Sequence, residues 1–170
     1  QADTVAIVSA DNPGANASEA SLTASLDLAG IAHVTVKGGD NETDAGFQGL
    51  MREATKDDPD LIVSLYSDAG CIGTMRARAS LGITIPAIST GVCAGAAVLD
   101  EVGDDAIGWT FSGVSTPQES DTSTVLRTIM APALGVEPDA VDSSSLGLGA
   151  LGLFMAMSLA QYADELASDD

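Results

Sequence analysis

The sequence predicts an α/β fold, a doubly wound parallel sheet with strand order 2-1-3-4-5 and flanking helices. Three observations carry that expectation. Strand-like apolar runs alternate with helix-period segments up to Phe111, as strand–helix–strand units require. The connections are short and end in turn or capping residues, so right-handed crossovers leave few topologies open. The run Leu61-Ile62-Val63-Ser64-Leu65, bounded by Asp57-Asp58-Pro59 on one side and Ser67 to Gly70 on the other, reads as a central strand buried on both faces. In an open parallel sheet, ligands meet the loops that follow the carboxyl ends of strands. Ser67 and Asp68 occupy such a loop.

Thr4 to Ser9 reads as a first, buried strand, and Ala10-Asp11-Asn12-Pro13-Gly14 as a loop of strong turn chemistry. Ala17 to Ala29 has helical periodicity and stops at Gly30, a favourable residue just past a helix end. Ala32 to Val36 returns as a strand, and Lys37 to Asp40 is its loop. In Asn41 to Asp58, Thr43 suits an N-cap, and Phe47, Leu50, Met51 and Ala54 share one helical face.

Beyond the central strand, Cys71 to Leu81 reads as a helix with Ile72, Met75 and Ala79 inward and Arg76 near the surface. Pro86 to Ser89 is a short fourth strand, Thr90 to Gly95 its loop, and Ala96 to Val102 a brief helix. Ile107 to Phe111 is a fifth strand, followed by a loop or crossover from Gly113 to Pro117. The texture then turns helical. Thr122 to Leu134 carries Pro132, which must kink or end a helix. Leu146 to Leu166 is rich in Gly, Ala, Leu and Met, and nearly uncharged before Asp164; a helix that apolar needs burial beyond a small sheet. The expected organisation is a lobe at 1–116 and a helical crossover and return at 117–170.

Composition excludes several function classes. A formal net charge of -19 over 170 residues opposes nucleic-acid backbones and anionic membranes, which require Lys and Arg. It fits a solvated acidic surface suited to high salt, or an approach field for cationic partners. No run of eighteen apolar residues is present, so no transmembrane helix is expected. The chain enters its first strand almost at once and shows no signal peptide, which reads as a fragment or a processed chain.

No catalytic set assembles. His33, the one histidine, lies within a strand with no partners at metal-ligand spacing, so neither a zinc site nor a Ser-His-Asp arrangement is expected. The loop after the first strand lacks the G-x-G-x-x-G pattern, and no G-K-[ST] exists for a phosphate loop. No cofactor is expected.

Cys71 and Cys93 each follow the carboxyl end of a strand, and the two strands should be neighbours about 5 Å apart. A disulfide is then within reach and would imply an oxidising compartment. Two reduced, inert thiols are the alternative, and a nucleophilic Cys71 lacks a base. The loops otherwise offer small polar groups: Ser9, Asn12, Ser67, Asp68, Ser89, Thr90 and Ser112. Such groups can hold a small polar solute by hydrogen bonds without acting on it. They can equally be caps and turns, and Asp68 in particular suits the N-cap of the helix after it.

Several stretches resemble a known family. Thr4 to Asn12 (T-V-A-I-V-S-A-D-N), Gly38 to Leu50 (G-G-D-N-E-T-D-A-G-F-Q-G-L), Asp58 to Tyr66 (D-P-D-L-I-V-S-L-Y) and Ala69 to Gly82 (A-G-C-I-G-T-M-R-A-R-A-S-L-G) are similar to the second lobe of type I periplasmic solute-binding proteins. The branched-chain amino-acid receptors of ABC importers are the nearest branch. Ala97 to Gly108 resembles that family's apolar-x-x-x-G-D-A-A-E-G segment, and Ser143 to Tyr162 looks like its return helix.

The resemblance implies one of two lobes that close on a solute, with the first lobe lying outside this sequence. It implies no enzymatic activity, a small solute such as an amino acid or related amide, ABC permease subunits as partners, and a periplasmic or extracellular location, lipid-anchored or not. The expected ligand contacts are Ser67, Asp68 and Gly91, near the positions the family uses, with Thr90 and Asn12 from the polar loops. The family often places an aromatic after its third strand and an acid after its fourth. This sequence has no aromatic at Ser67–Asp68 and no acid at Gly91–Val92, but Asp68 could take an ammonium in compensation. The rival readings are the effector-sensing domain of a LacI-like regulator, which the acidity and the cysteine pair oppose, and a lobe that serves interaction without binding a solute.

Overall fold

The computed structural model describes residues 2–113, 121–141, 152, 155–157 and 161. Two compact units divide the chain, Gln1–Ser112 and Gly113–Asp170. The first holds a five-stranded parallel sheet in the order β2-β1-β3-β4-β5, built from β1 (Thr4–Ala10), β2 (Ala32–Gly38), β3 (Leu61–Leu65), β4 (Ala87–Thr90) and β5 (Trp109–Ser112). Its helices are α1 (Pro13–Ala29), α2 (Asp44–Thr55), α3 (Asp68–Ser80) and α4 (Ala96–Val102). This is the architecture the alternation of apolar runs predicts.

Chain direction assigns the helices to faces. The β1–β2 crossover runs one way along the sheet, and the crossovers from β2 to β3, β4 and β5 run the other way. Right-handed connections therefore place α1 on one face and α2, α3 and α4 on the opposite one. The main core fills the second layer: Ala6 and Val8 of β1 and Ile62 of β3 pack with Phe47 and Met51 of α2 and with Cys71 and Met75 of α3. Register aligns them, with Ala6 opposite Ile62 and Val8 opposite Ser64.

Several boundaries differ from expectation, each for a local reason. Helix α1 starts at Pro13 instead of Ala17, because Asn12 caps it and Pro13 suits the first helical turn. Helix α3 starts at Asp68 instead of Cys71, so most of the expected Ser67–Gly70 loop is its first turn. Strand β4 extends through Thr90, and residues Gly91–Ala94 form a 3-10 turn. Strand β5 is shifted toward Trp109–Ser112, since Gly108 has a positive φ of 83° and breaks the extension there.

The expected two-sided burial belongs to β1, not to β3. Residues Val5 to Ala10 are all buried, whereas in β3 Ile62 and Ser64 are buried and Leu61, Val63 and Leu65 are only half-buried. In α3 the inward residues are Cys71, Thr74, Met75 and Arg78; Ile72 is half-buried and Ala79 exposed.

The second unit holds α5 (Asp121–Leu134) and a 3-10 turn at Pro138–Ala140. Ala131 and Val141 are buried together with Leu126 and Met130 against them. Pro132 lies inside α5, and the helix ends two residues later, where Gly135 takes a positive φ of 68° and Val136 N–H donates to the Ala131 carbonyl at 3.2 Å. Most of the expected helix over Leu146 to Leu166, and the loop from 114 to 117, lie outside the described residues; Gly152, Met155 to Met157 and Gln161 are helical.

Candidate functional site

The carboxyl ends of β1, β2 and β3 lie side by side, so their loops meet at one edge of the sheet. Asp11 N–H donates to the Gly38 carbonyl at 2.8 Å, which ties the first loop to the second. Asn12 works in two directions. Its Oδ1 accepts from Ala15 N–H at 2.9 Å as the cap of α1, and its Nδ2 donates to Asp40 Oδ1 at 2.5 Å. In the third loop, Ser67 holds the cap position of α3 in extended backbone, but its side chain makes no capping bond.

Asp68 follows with φ +46°. That left-handed conformation is uncommon outside glycine, although Asp and Asn tolerate it best. Asp68 therefore stands in the first turn, one residue past the cap position. Its carboxylate is exposed and makes no side-chain hydrogen bond among the described residues.

These loops enclose a polar depression of about 270 Å³ lined by Asn12, Asp40, Asn41, Ser67, Asp68 and Ala69. Two carboxylates face it and no basic side chain does. Beside it, Glu42 Oε1 accepts from Gly39 N–H at 2.7 Å. Tyr66, at the end of β3, registers the resulting field. The residue is 1% exposed and its hydroxyl has no hydrogen-bond partner among the described residues. Burial first, then the charges of Glu42 and Asp40, push the phenol up to about 12. The corner is electronegative and suits groups that donate hydrogen bonds or carry positive charge.

Of the residues singled out in the sequence, Asn12, Ser67 and Asp68 come together in this depression, while Thr90 and Gly91 are not among its lining. Thr90 Oγ1 donates to the Tyr66 carbonyl at 3.0 Å and lies 3.5 Å from the Cys93 sulfur. The other small polar groups are turned to internal work: Ser9 donates to the Ala10 carbonyl, Ser89 to the Cys93 sulfur, and Ser112 to the Ser89 carbonyl. Sequence reasoning missed Asp40 and Asn41 as walls. The Gly38-Gly39 pair was the available signal, since it marks a sharp turn at the end of the strand beside β1.

The expected disulfide is present. Cys71 in the first turn of α3 is bonded to Cys93 in the 3-10 turn after β4, with Cα atoms 5.4 Å apart and both residues fully buried. It fastens the third and fourth loops to each other, directly behind Ser67 and Asp68. His33 sits on the edge strand β2, with Nδ1 3.8 Å from Asp27. Among the described residues no group of acidic, histidine or cysteine side chains is arranged to hold a metal.

No protein-family model matches the chain, and no curated protein does. Solved structures match it closely in shape. An extracellular ligand-binding receptor from Verminephrobacter eiseniae superposes with a TM-score of 0.69 at 15% identity, over 88% of this chain and 43% of the receptor. The fold is that of one lobe of a type I solute-binding protein. A branched-chain amino acid ABC transporter protein from Thermus thermophilus, with bound valine, gives 0.69 at 15% identity, over 86% of the lobe's chain and 39% of its own. A solute binding protein of an ABC transporter from Rhodopseudomonas palustris, in complex with 3,4-dihydroxybenzoic acid, gives 0.63 at 20% identity, over 92% and 43%. The chain spans about two fifths of the length of these structures. The last two hold chemically different ligands on one fold, which separates fold from ligand choice.

Proposed function

We propose that the chain is one lobe of an extracytoplasmic solute-binding component of an ABC importer, binding a small polar solute without catalysis. The observation that carries this reading is the polar depression at the carboxyl edge of a sheet whose fold is shared with such receptors. Bonding between buried Cys71 and Cys93 supports an oxidising, periplasmic or extracellular location. Permease subunits and a first lobe would be the partners, and a lipid anchor is compatible with this arrangement.

The solute would be an amino acid or a related amide. Asp68 would accept from its ammonium or another donor group, Ser67 and Asn12 would add neutral hydrogen bonds, and Thr90 and Gly91 would approach from the β4 loop. The two carboxylates at this edge favour a donor, while the solute's own carboxylate would belong to the opposite lobe.

The test is made in a receptor that carries both lobes. A thermal-shift screen against amino acids, amides and short peptides identifies a binder, and calorimetry then compares Asp68→Asn with Asp68→Ala. Loss of the charge alone should weaken binding about tenfold or more, in line with ~1.5–3 kcal/mol for a charged hydrogen bond, with little change in melting temperature. Unchanged affinity in both variants ends the assignment of Asp68 to the ligand.

A further inference from the structure

On the outer side of α2 and α3 lies a second and larger concavity, about 470 Å³, that the solute edge does not use. Its floor is apolar. Phe47, Ile72, Ala69 and Ala97 contribute, and the floor is shallow because Gly73 brings α3 against the Phe47 ring: a Cβ at Gly73 would lie 2.1 Å from that ring. Its rim is acidic. Glu42, Asp44 and Glu101 face Arg76, three carboxylates to one guanidinium. That guanidinium is engaged, since Arg76 Nη2 donates to Glu101 Oε1 at 2.7 Å and to its carbonyl at 3.1 Å. Among the described residues neither Glu42 nor Asp44 is ion-paired, and Glu42 is engaged only through the Gly39 N–H.

The concavity continues at both ends. Toward the sheet edge it shares Asn41 and Ala69 with the depression that holds Asp40 and Asp68. Away from it, Asp44, Gly73 and Arg76 lead into a smaller hollow bounded by Gln48 and Ser80. From Ala69 to Ser80 the groove follows twelve residues of α3, about 16 Å over eleven steps of roughly 1.5 Å. About five residues of extended chain span that length.

We propose that this groove is a docking surface for a basic peptide segment of a protein partner, seating one apolar side chain over Ile72, Ala69 and Ala97, with the buried Phe47 beneath them, between flanking cationic residues. Length, floor and rim each select it. An apolar floor open along a helix pair suits a chain better than a compact solute, and the uncompensated acids choose Lys or Arg on either side of the anchor. Anionic lipid and nucleic acid are repelled by the same rim. The inference does not rest on the solute reading, because none of the floor residues except Ala69 touches the solute edge.

A fluorescein-labelled Lys-Lys-Leu-Lys-Lys peptide, titrated by anisotropy into the chain at moderate salt, tests it. A net charge of -19 attracts any cation weakly, so variants decide. Ala97→Trp fills the floor and Asp44→Lys reverses the rim, while Asp57→Lys changes an exposed acid at the opposite edge of the sheet. Ala97→Trp and Asp44→Lys should each weaken binding at least about tenfold and Asp57→Lys less than about twofold, and a peptide with serine in place of leucine should bind at least about fivefold more weakly. Circular dichroism confirms that each variant is folded, and Asp44→Lys carries the test if Ala97→Trp is not. Absence of binding, equal loss in Asp57→Lys, or full binding by the serine peptide would each overturn the proposal, the last two showing diffuse attraction only.

Discussion

Tyr66 combines a buried ring with a hydroxyl that has no partner among the described residues. A buried, unpaired hydroxyl costs about 1–3 kcal/mol. Tyr66→Phe should therefore leave stability unchanged or raise it by about 1 kcal/mol, read as a shift in the urea midpoint; a loss above that would mean the hydroxyl is paired. The same residue sets an alkaline limit. Its folded value, about 12, lies above the ordinary 10 of a free phenol. Below pH 10 both states keep the proton and the shift costs nothing. Between pH 10 and 12 the unfolded chain loses it first, so stability falls by an order of 2 kcal/mol across that window. Tyr66→Phe should flatten that fall, and an equal fall in the variant would remove the assignment.

At the same scale, Asp68 was legible because a strand–loop–helix unit fixes where the loop must be. Its left-handed backbone, φ +46°, was not legible, since a single dihedral leaves no mark in the apolar pattern. Arg78 was missed altogether. Its guanidinium is buried, donates to the Ile85 and Ile107 carbonyls at 3.0 and 3.1 Å and stands 5.8 Å over the Trp109 ring. The spacing of Cys71, Met75 and Arg78 on one helical face was the signal for it, but a charge at such a position reads first as surface.

Elements are held here by two kinds of closeness. The α2–α3 contact depends on Gly73, and alanine there would gain about 1 kcal/mol in helix propensity. Its methyl would also meet the buried Phe47 ring at 2.1 Å. Overpacking of a core costs about 1–3 kcal/mol and occasionally more, so the clash should win and Gly73→Ala should melt earlier. An unchanged melting temperature would show that α2 can yield. The Cys71–Cys93 bond closes a loop of sequence separation 22, for which chain entropy gives about 3 kcal/mol. Double substitution to alanine should lower stability by about that much, and mass spectrometry without reductant should show the native chain two protons lighter than its reduced form. Strand order and helix order were readable because right-handed crossovers and local periodicity determine them. Element ends were less so. Asn12, Pro13 and Gly108 act through caps and single dihedrals that override the apolar pattern by two to four residues.

The acid content acts on the whole molecule. With 25 acidic and 6 basic residues, like charges crowd the folded surface more closely than the unfolded chain, and salt relieves that repulsion within a Debye length of about 3 Å at 1 M. Melting temperature should rise steadily with added KCl, and a flat response would show the carboxylates already dispersed or paired. On the proposed reading, solute binding is also set at this scale. The lobe offers one open edge, where water competes for Asp68, Ser67 and Asn12 on the side that an opposing lobe would cover. Half a cleft supplies half of the hydrogen bonds and little water exclusion, so each contact keeps only its small net value of about 0.5–1.5 kcal/mol. Three such contacts, before the cost of fixing the solute, do not reach the roughly 8 kcal/mol of micromolar affinity. On that reading these 170 residues alone should bind the solute more weakly than about millimolar, the affinity that corresponds to about 4 kcal/mol. Calorimetry with the solute identified in the two-lobed receptor measures this directly, and micromolar binding by the single lobe would mean that its own edge, without closure, makes the site.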